Sequence, residues 1–74
     1  MTEKEASKIK KLDIVSLLYP KPRHGLDAGQ EGTVIHVYNE QRAFEIEFVT
    51  SEGTKTATVL PREIKHVTYY AKGK

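Results

Sequence analysis

A chain of 74 residues with no cysteine is long enough for one domain, and it excludes a disulfide framework, thiolate metal sites and cysteine nucleophiles. Apolar residues make up 38% and charged residues 30% of it, a globular composition rather than a disordered or collagenous one. No apolar stretch is long enough for a membrane-spanning helix or a signal-peptide core, so a cytoplasmic location is expected.

The formal net charge of +2 is unevenly placed. Residues 1–11 carry Lys4, Lys8, Lys10 and Lys11 against Glu3 and Glu5, and Lys72 and Lys74 add two more positive charges at the other end. Residues 12–71 hold six Lys or Arg against eight acids. The basic balance therefore lies in the terminal segments, and a clustered basic footprint on a folded surface is not evident.

Residues 1–11 contain one large aliphatic residue after the initiator, Ile9. Thr2 and Glu5 have capping-box spacing, but Lys4 and Lys8 place like charges four apart and so oppose a helix. The expectation is a flexible basic tail over 1–11, a folded domain over 12–70, and a short C-terminal tail over 71–74. A first strand is predicted over 14–18, a β-branched and aliphatic run closed by Pro20 and Pro22, which cannot donate to a ladder. A long loop follows, with Leu26 tucked beneath it as an anchor between Gly25 and Gly29.

A second strand is predicted over 32–38 and a third over 43–49, joined by a hairpin turn at 39–42. In the third strand Phe44, Ile46 and Phe48 alternate with Glu45 and Glu47, the pattern of one dry and one wet face. Gly53 ends a second turn at a position that usually requires positive φ. A polar, threonine-rich fourth strand covers 54–60 and suits a sheet edge. Pro61 stops it and starts one helical turn over 61–64, before a last strand over 65–70. Five short strands in this order predict an all-β fold, a small five-stranded SH3-like barrel with a helical turn between strands four and five. The expected core is Ile14, Leu17, Val34, Val37, Phe44, Ile46, Phe48, Val59, Ile64 and Val67.

The series Asp13-Ile14-Val15-Ser16-Leu17-Leu18, Pro22 with Gly25-Leu26, Gly29-Gln30-Glu31-Gly32-Thr33-Val34-Ile35, Phe44-Glu45-Ile46-Glu47-Phe48 and Leu60-Pro61 resembles a bacterial family of short proteins known as domain of unknown function 4926. The resemblance spans residues 12–68. The Gly-x-x-Gly-Thr-Val step is shared more loosely with other SH3-like barrels, among them ribosome-associated and microtubule-binding modules. It needs Gly29 for a loop reversal and Gly32 for a bulge or close backbone approach. The resemblance implies an architecture and carries over no catalytic residue.

Chemistry-bearing residues are sparse. His24, His36 and His66 have no i,i+4 pairing and no adjoining ligand set, which argues against zinc. Ser7, Ser16 and Ser51 lack a motif supplying a base and an oxyanion hole. Glu45 and Glu47 share one face, where Lys55 of the next strand is expected to pair with them rather than an acid–base reaction to use them. The glycines at 25, 29 and 32 lack the lysine and helix of a phosphate loop. No catalytic activity, metal or cofactor is expected.

What remains is binding. A proline-peptide groove is disfavoured by the absence of tryptophan and of an aromatic-acidic cluster. A protein partner is expected to dock on the loop over 19–29 and a small aromatic patch, through Tyr19, Arg23, His24, Leu26, Tyr38, Tyr69 and Tyr70. By analogy with other short bacterial proteins the role is that of an adaptor, antitoxin or immunity protein. The alternative is RNA or DNA, held on its phosphates by Lys8, Lys10, Lys11, Arg23, Lys72 and Lys74 with a tyrosine stacked on a base. The acidic body favours protein. No membrane partner is expected, and the oligomeric state is left open.

Overall fold

A computed structural model describes residues 6–67 of the chain. They form one five-stranded antiparallel sheet of β1 (Ile14–Leu17), β2 (Glu31–Val37), β3 (Phe44–Thr50), β4 (Gly53–Val59) and β5 (Ile64–Val67). The strand order is β4-β3-β2-β1-β5, so the chain runs as a four-strand meander and then brings its fifth strand back to the free side of the first. Single turns of 3-10 helix lie at Pro22–His24, Asn39–Gln41 and Pro61–Glu63. The expected strand ends agree to within one residue, apart from the end of the fifth, which falls outside the described residues. No helix of the described residues is long and apolar enough to cross a membrane.

Register parity decides what is buried. Phe44 faces Val59 and Ile46 faces Ala57 across the β3–β4 ladder, and all four are buried. Val15, Leu17, Val34, Phe48 and Ile64 complete the strand contribution to the core. Ile14 and Val67 were expected inside, but both are only half-buried. Leu17 lies inside and is three positions from Ile14, and residues three apart on a strand point to opposite faces. The inner residue is therefore Val15, and Ile14 shares the outer face with Ser16. In β2 a register shift between Val34 and His36 inserts an extra residue and turns the strand, and Val37 packs partly against the core.

The tail expected over residues 1–11 is corrected at its inner end. Ala6 and Ile9 are buried in the main core. Ile9 N–H donates to the Ala6 carbonyl at 3.1 Å, Leu12 N–H to the Val34 carbonyl at 2.7 Å, and Val34 N–H to the Asp13 carbonyl at 2.9 Å. The segment before β1 thus prolongs the β1–β2 pairing, and a core this small recruits Ile9 as one of its larger fully buried side chains. His66 Nε2 lies 3.3 Å from Asp13 Oδ2 and ties β5 to the same segment.

Gly32 explains how tightly β2 and β3 pack. A Cβ there would lie 2.5 Å from Ile46 Cγ2, 2.8 Å from Phe48 Cδ1 and 2.9 Å from the Glu47 carbonyl oxygen. The close approach expected of this glycine is therefore present, and no larger residue fits without displacing β3.

Candidate binding surface

The long β1–β2 loop, residues 18–30, is the first candidate. Pro22 opens its 3-10 turn, and Gly25 closes that turn in the left-handed region at φ 67°. Lys21 and Leu26 exchange backbone hydrogen bonds of 2.8 and 3.1 Å, which closes residues 21–26 into a compact lobe. Two side chains then fix the lobe to the body. Lys21 Nζ reaches Glu63 Oε2 at 3.2 Å, and Lys55 Nζ donates to the His24 carbonyl at 3.1 Å.

Lys55 corrects an expectation. It lies opposite Phe48 in register, whereas Glu45 and Glu47 lie opposite Thr58 and Thr56. Parity puts Lys55 on the core side of β4, where its stem covers apolar surface and its ammonium binds His24 and Glu52. Glu45 instead accepts hydrogen bonds from Tyr38 Oη at 3.1 Å and Thr58 Oγ1 at 2.6 Å on the outer face.

Of the expected docking residues, Tyr19 is 63% exposed, and Arg23 and His24 stand exposed on the 3-10 turn of the same loop. Leu26 is corrected: it is fully buried in the core, so it anchors the loop and is not available to a partner. Tyr38 is also separated from the others. β1 ends beside the start of β2, with Ser16 opposite Glu31, so Tyr19 leaves one end of the sheet and Tyr38 the other. Tyr38 packs edge-on against His36 with ring centroids 4.5 Å apart. A joint patch of Tyr19 and Tyr38 does not form. Tyr69 and Tyr70 lie outside the described residues.

The expected phosphate-binding residues fare differently. Lys8 and Lys11 are exposed, Lys10 Nζ lies 3.7 Å from Asp13 Oδ1, and Lys72 and Lys74 lie outside the described residues. His24, His36 and His66 sit on separate elements, and no group of three or more metal-ligating side chains gathers among the described residues.

Sequence reading missed a cleft. It has a volume of about 460 Å³ and lies between residues 6–7, the hairpin residues 40–42, and Pro61 with Arg62. Two arginines, Arg42 and Arg62, line it from separate connections. The adjacency of Pro61 and Arg62 at a strand stop was legible, but nothing local brings residue 42 beside residue 62.

Next to the cleft, Glu63 closes its turn from both sides. Its carboxylate accepts the Leu60 N–H at 2.8 Å, and its own N–H donates to the Leu60 carbonyl at 2.9 Å. Burial on its own would raise the Glu63 carboxyl. The Leu60 N–H, the Lys21 ammonium and the charge of Arg62 outweigh it and hold the group below the ordinary glutamate range.

A family model described as a domain of unknown function, DUF4926, matches residues 11–63. No curated protein and no solved structure gives a significant match.

Proposed function

The chain belongs to the DUF4926 family, whose matched span takes in β1 to β4 and all three 3-10 turns, and on that premise we propose that it is a non-catalytic binding module whose partner is another protein. The observation that carries this reading is the lobe at residues 18–30. Its anchor Leu26 is buried and Lys21 and Lys55 pin it, while Leu18, Tyr19, Arg23 and His24 stay exposed. A loop whose shape is set before binding loses little entropy on docking, and an exposed tyrosine and an exposed arginine on one loop are the residue types that protein interfaces use as anchors. The strand order, with a 3-10 turn between β4 and β5, supports an SH3-like barrel as the frame. An adaptor, antitoxin or immunity-like role fits such a module.

The test is affinity capture from the cytoplasmic fraction of the source organism, where we propose this disulfide-free domain works. Wild type is compared with Tyr19→Ala and Arg23→Glu, at moderate salt and after nuclease. The reading expects one protein retained at fixed stoichiometry by wild type and lost with either variant. Recovery that disappears on nuclease treatment would replace it with a nucleic-acid role.

A further inference from the structure

At the end where β2 finishes and β3 begins, Lys8, Lys10, Lys11, Arg42 and Arg62 stand with Asp13, Glu40, Glu45 and Glu63. The other described charges, Lys21, Arg23, Lys55 and Lys65 against Asp27, Glu31, Glu47 and Glu52, balance. The cleft of about 460 Å³ opens at the β2–β3 end, and its described lining carries two guanidinium groups against the one carboxylate of Glu40. A volume of this size suits a few side chains of a ligand.

The two arginines have donors to spare. Arg42 Nη2 lies 3.9 Å from Glu40 Oε1, with both side chains about three-quarters exposed, a contact too loose and solvated to hold the guanidinium. Arg62 makes no ion pair within 4 Å among the described residues. A guanidinium offers five N–H groups in a fixed fork that matches a carboxylate in two-point geometry. The wall that presents Arg42 is stiff: Glu40 and Gln41 both take left-handed φ, 53° and 58°, while Gln41 N–H and Arg42 N–H donate to Tyr38 and Asn39. Such a conformation persists in non-glycine residues only where the surroundings enforce it. Ala6 and Pro61 give the cleft an apolar side for the stems of a ligand's side chains.

We propose that this cleft receives an acidic peptide segment of the partner protein, with Arg42 and Arg62 gripping its carboxylates; this rests on the reading above that the partner is a protein. Nucleic acid is the poorer occupant. None of the described lining residues is an aromatic on which a base could stack, and the Tyr38 hydroxyl is held by Glu45. A phosphate backbone running beyond the cleft would also meet the Glu63 carboxylate beside Arg62.

The experiment is a two-dimensional amide NMR titration of the full chain with a blocked hexapeptide of alternating Asp and Glu. The corresponding Asn/Gln peptide and an oligothymidylate are run in parallel. The proposal expects saturable shifts at residues 40–42 and 61–62 with the acidic peptide and none with the neutral one. Arg42→Gln and Arg62→Gln should each weaken binding about tenfold, while Lys65→Gln, an equal change in net charge on β5, should leave it nearly unchanged. Glu40→Gln should tighten it by removing a negative charge from the cleft lining. All four positions are exposed, and unchanged shift dispersion confirms that each variant folds. Absence of saturation, an equal loss in Lys65→Gln, or tighter saturation of the same residues by the oligothymidylate would overturn the assignment. Failure of the peptide alongside capture of a Tyr19-dependent partner removes the cleft and leaves the docking role. Capture that depends on nucleic acid removes both.

Discussion

Lys21 Nζ and Glu63 Oε2 are 3.2 Å apart across 42 positions of sequence, and through this pair the long first loop is fastened to the turn that launches β5. Both side chains are largely shielded, at 20% and 30% exposure. The same carboxylate caps the Leu60 N–H, so Glu63→Gln weakens two contacts at once and is expected to cost about 1 kcal/mol. The sign with pH follows from the lowered Glu63 pKa. Its stabilisation is complete above the unfolded glutamate pKa and is lost as pH falls through the folded one. Urea titrations from neutral to acidic pH should show a steeper loss of stability for wild type than for Glu63→Gln, and parallel curves would refute the coupling.

Gly32 gives the sharpest steric prediction. With Ile46 and the Glu47 backbone within 3 Å of a would-be Cβ, Gly32→Ala forces β2 away from β3 and is expected to cost about 1–3 kcal/mol. Gly29 sits at φ 86° with open space around it, so an alanine there costs through its backbone alone, about 1 kcal/mol. Chemical denaturation of the pair checks the order, and a milder effect at Gly32 would contradict the close approach.

Ile9 belongs to the fold rather than to a tail. Ile9→Ala is expected to destabilise by about 2–5 kcal/mol, against no more than about 0.5 kcal/mol for Lys8→Ala one position away. Deleting residues 1–11 would consequently remove core as well as charge. A nucleic-acid role is better tested by Lys8→Gln and Lys11→Gln, with thermal unfolding to confirm the fold. A soluble, equally stable deletion variant would show that Ile9 packs less than its burial implies.

Leu26 and Tyr19 separate packing from binding within one loop. Leu26→Ala should cost about 2–5 kcal/mol and loosen the whole lobe. Tyr19→Ala should change stability by no more than about 0.5 kcal/mol and act on partner capture alone. Calorimetry beside capture distinguishes the two, and a large melting shift for Tyr19→Ala would remove it from the docking surface.

Much of the fold was legible because the β3 alternation of Phe44, Ile46 and Phe48 with glutamates leaves one choice of face. Pro61 and Gly53 likewise punctuate the chain where the backbone itself demands it. The β1 run was not legible in this way: five residues with four aliphatics carry no period, and the choice between Ile14 and Val15 is settled only by pairing with β2 and β5. The bulge at Ile35 hid the face of β2 for the same reason, since one inserted residue reverses everything beyond it. Lys55 was assigned to Glu45 and Glu47 by proximity of strands, and only register shows that they lie on opposite faces. In the candidate surface, the exposed lobe and its Leu26 anchor could be read from Pro22, Gly25 and Gly29. The arginine cleft could not, because Ala6, Arg42 and Arg62 meet only through the sheet order.

The most direct measurement is affinity capture with wild type and Tyr19→Ala from the same cytoplasmic extract, with nuclease added, and with calorimetry confirming equal stability of the two baits. The account predicts one protein at fixed stoichiometry on wild type, retained after nuclease and absent from Tyr19→Ala. Recovery only of nucleic acid, or of the same protein in equal amount on both baits, would contradict docking through the 18–30 loop.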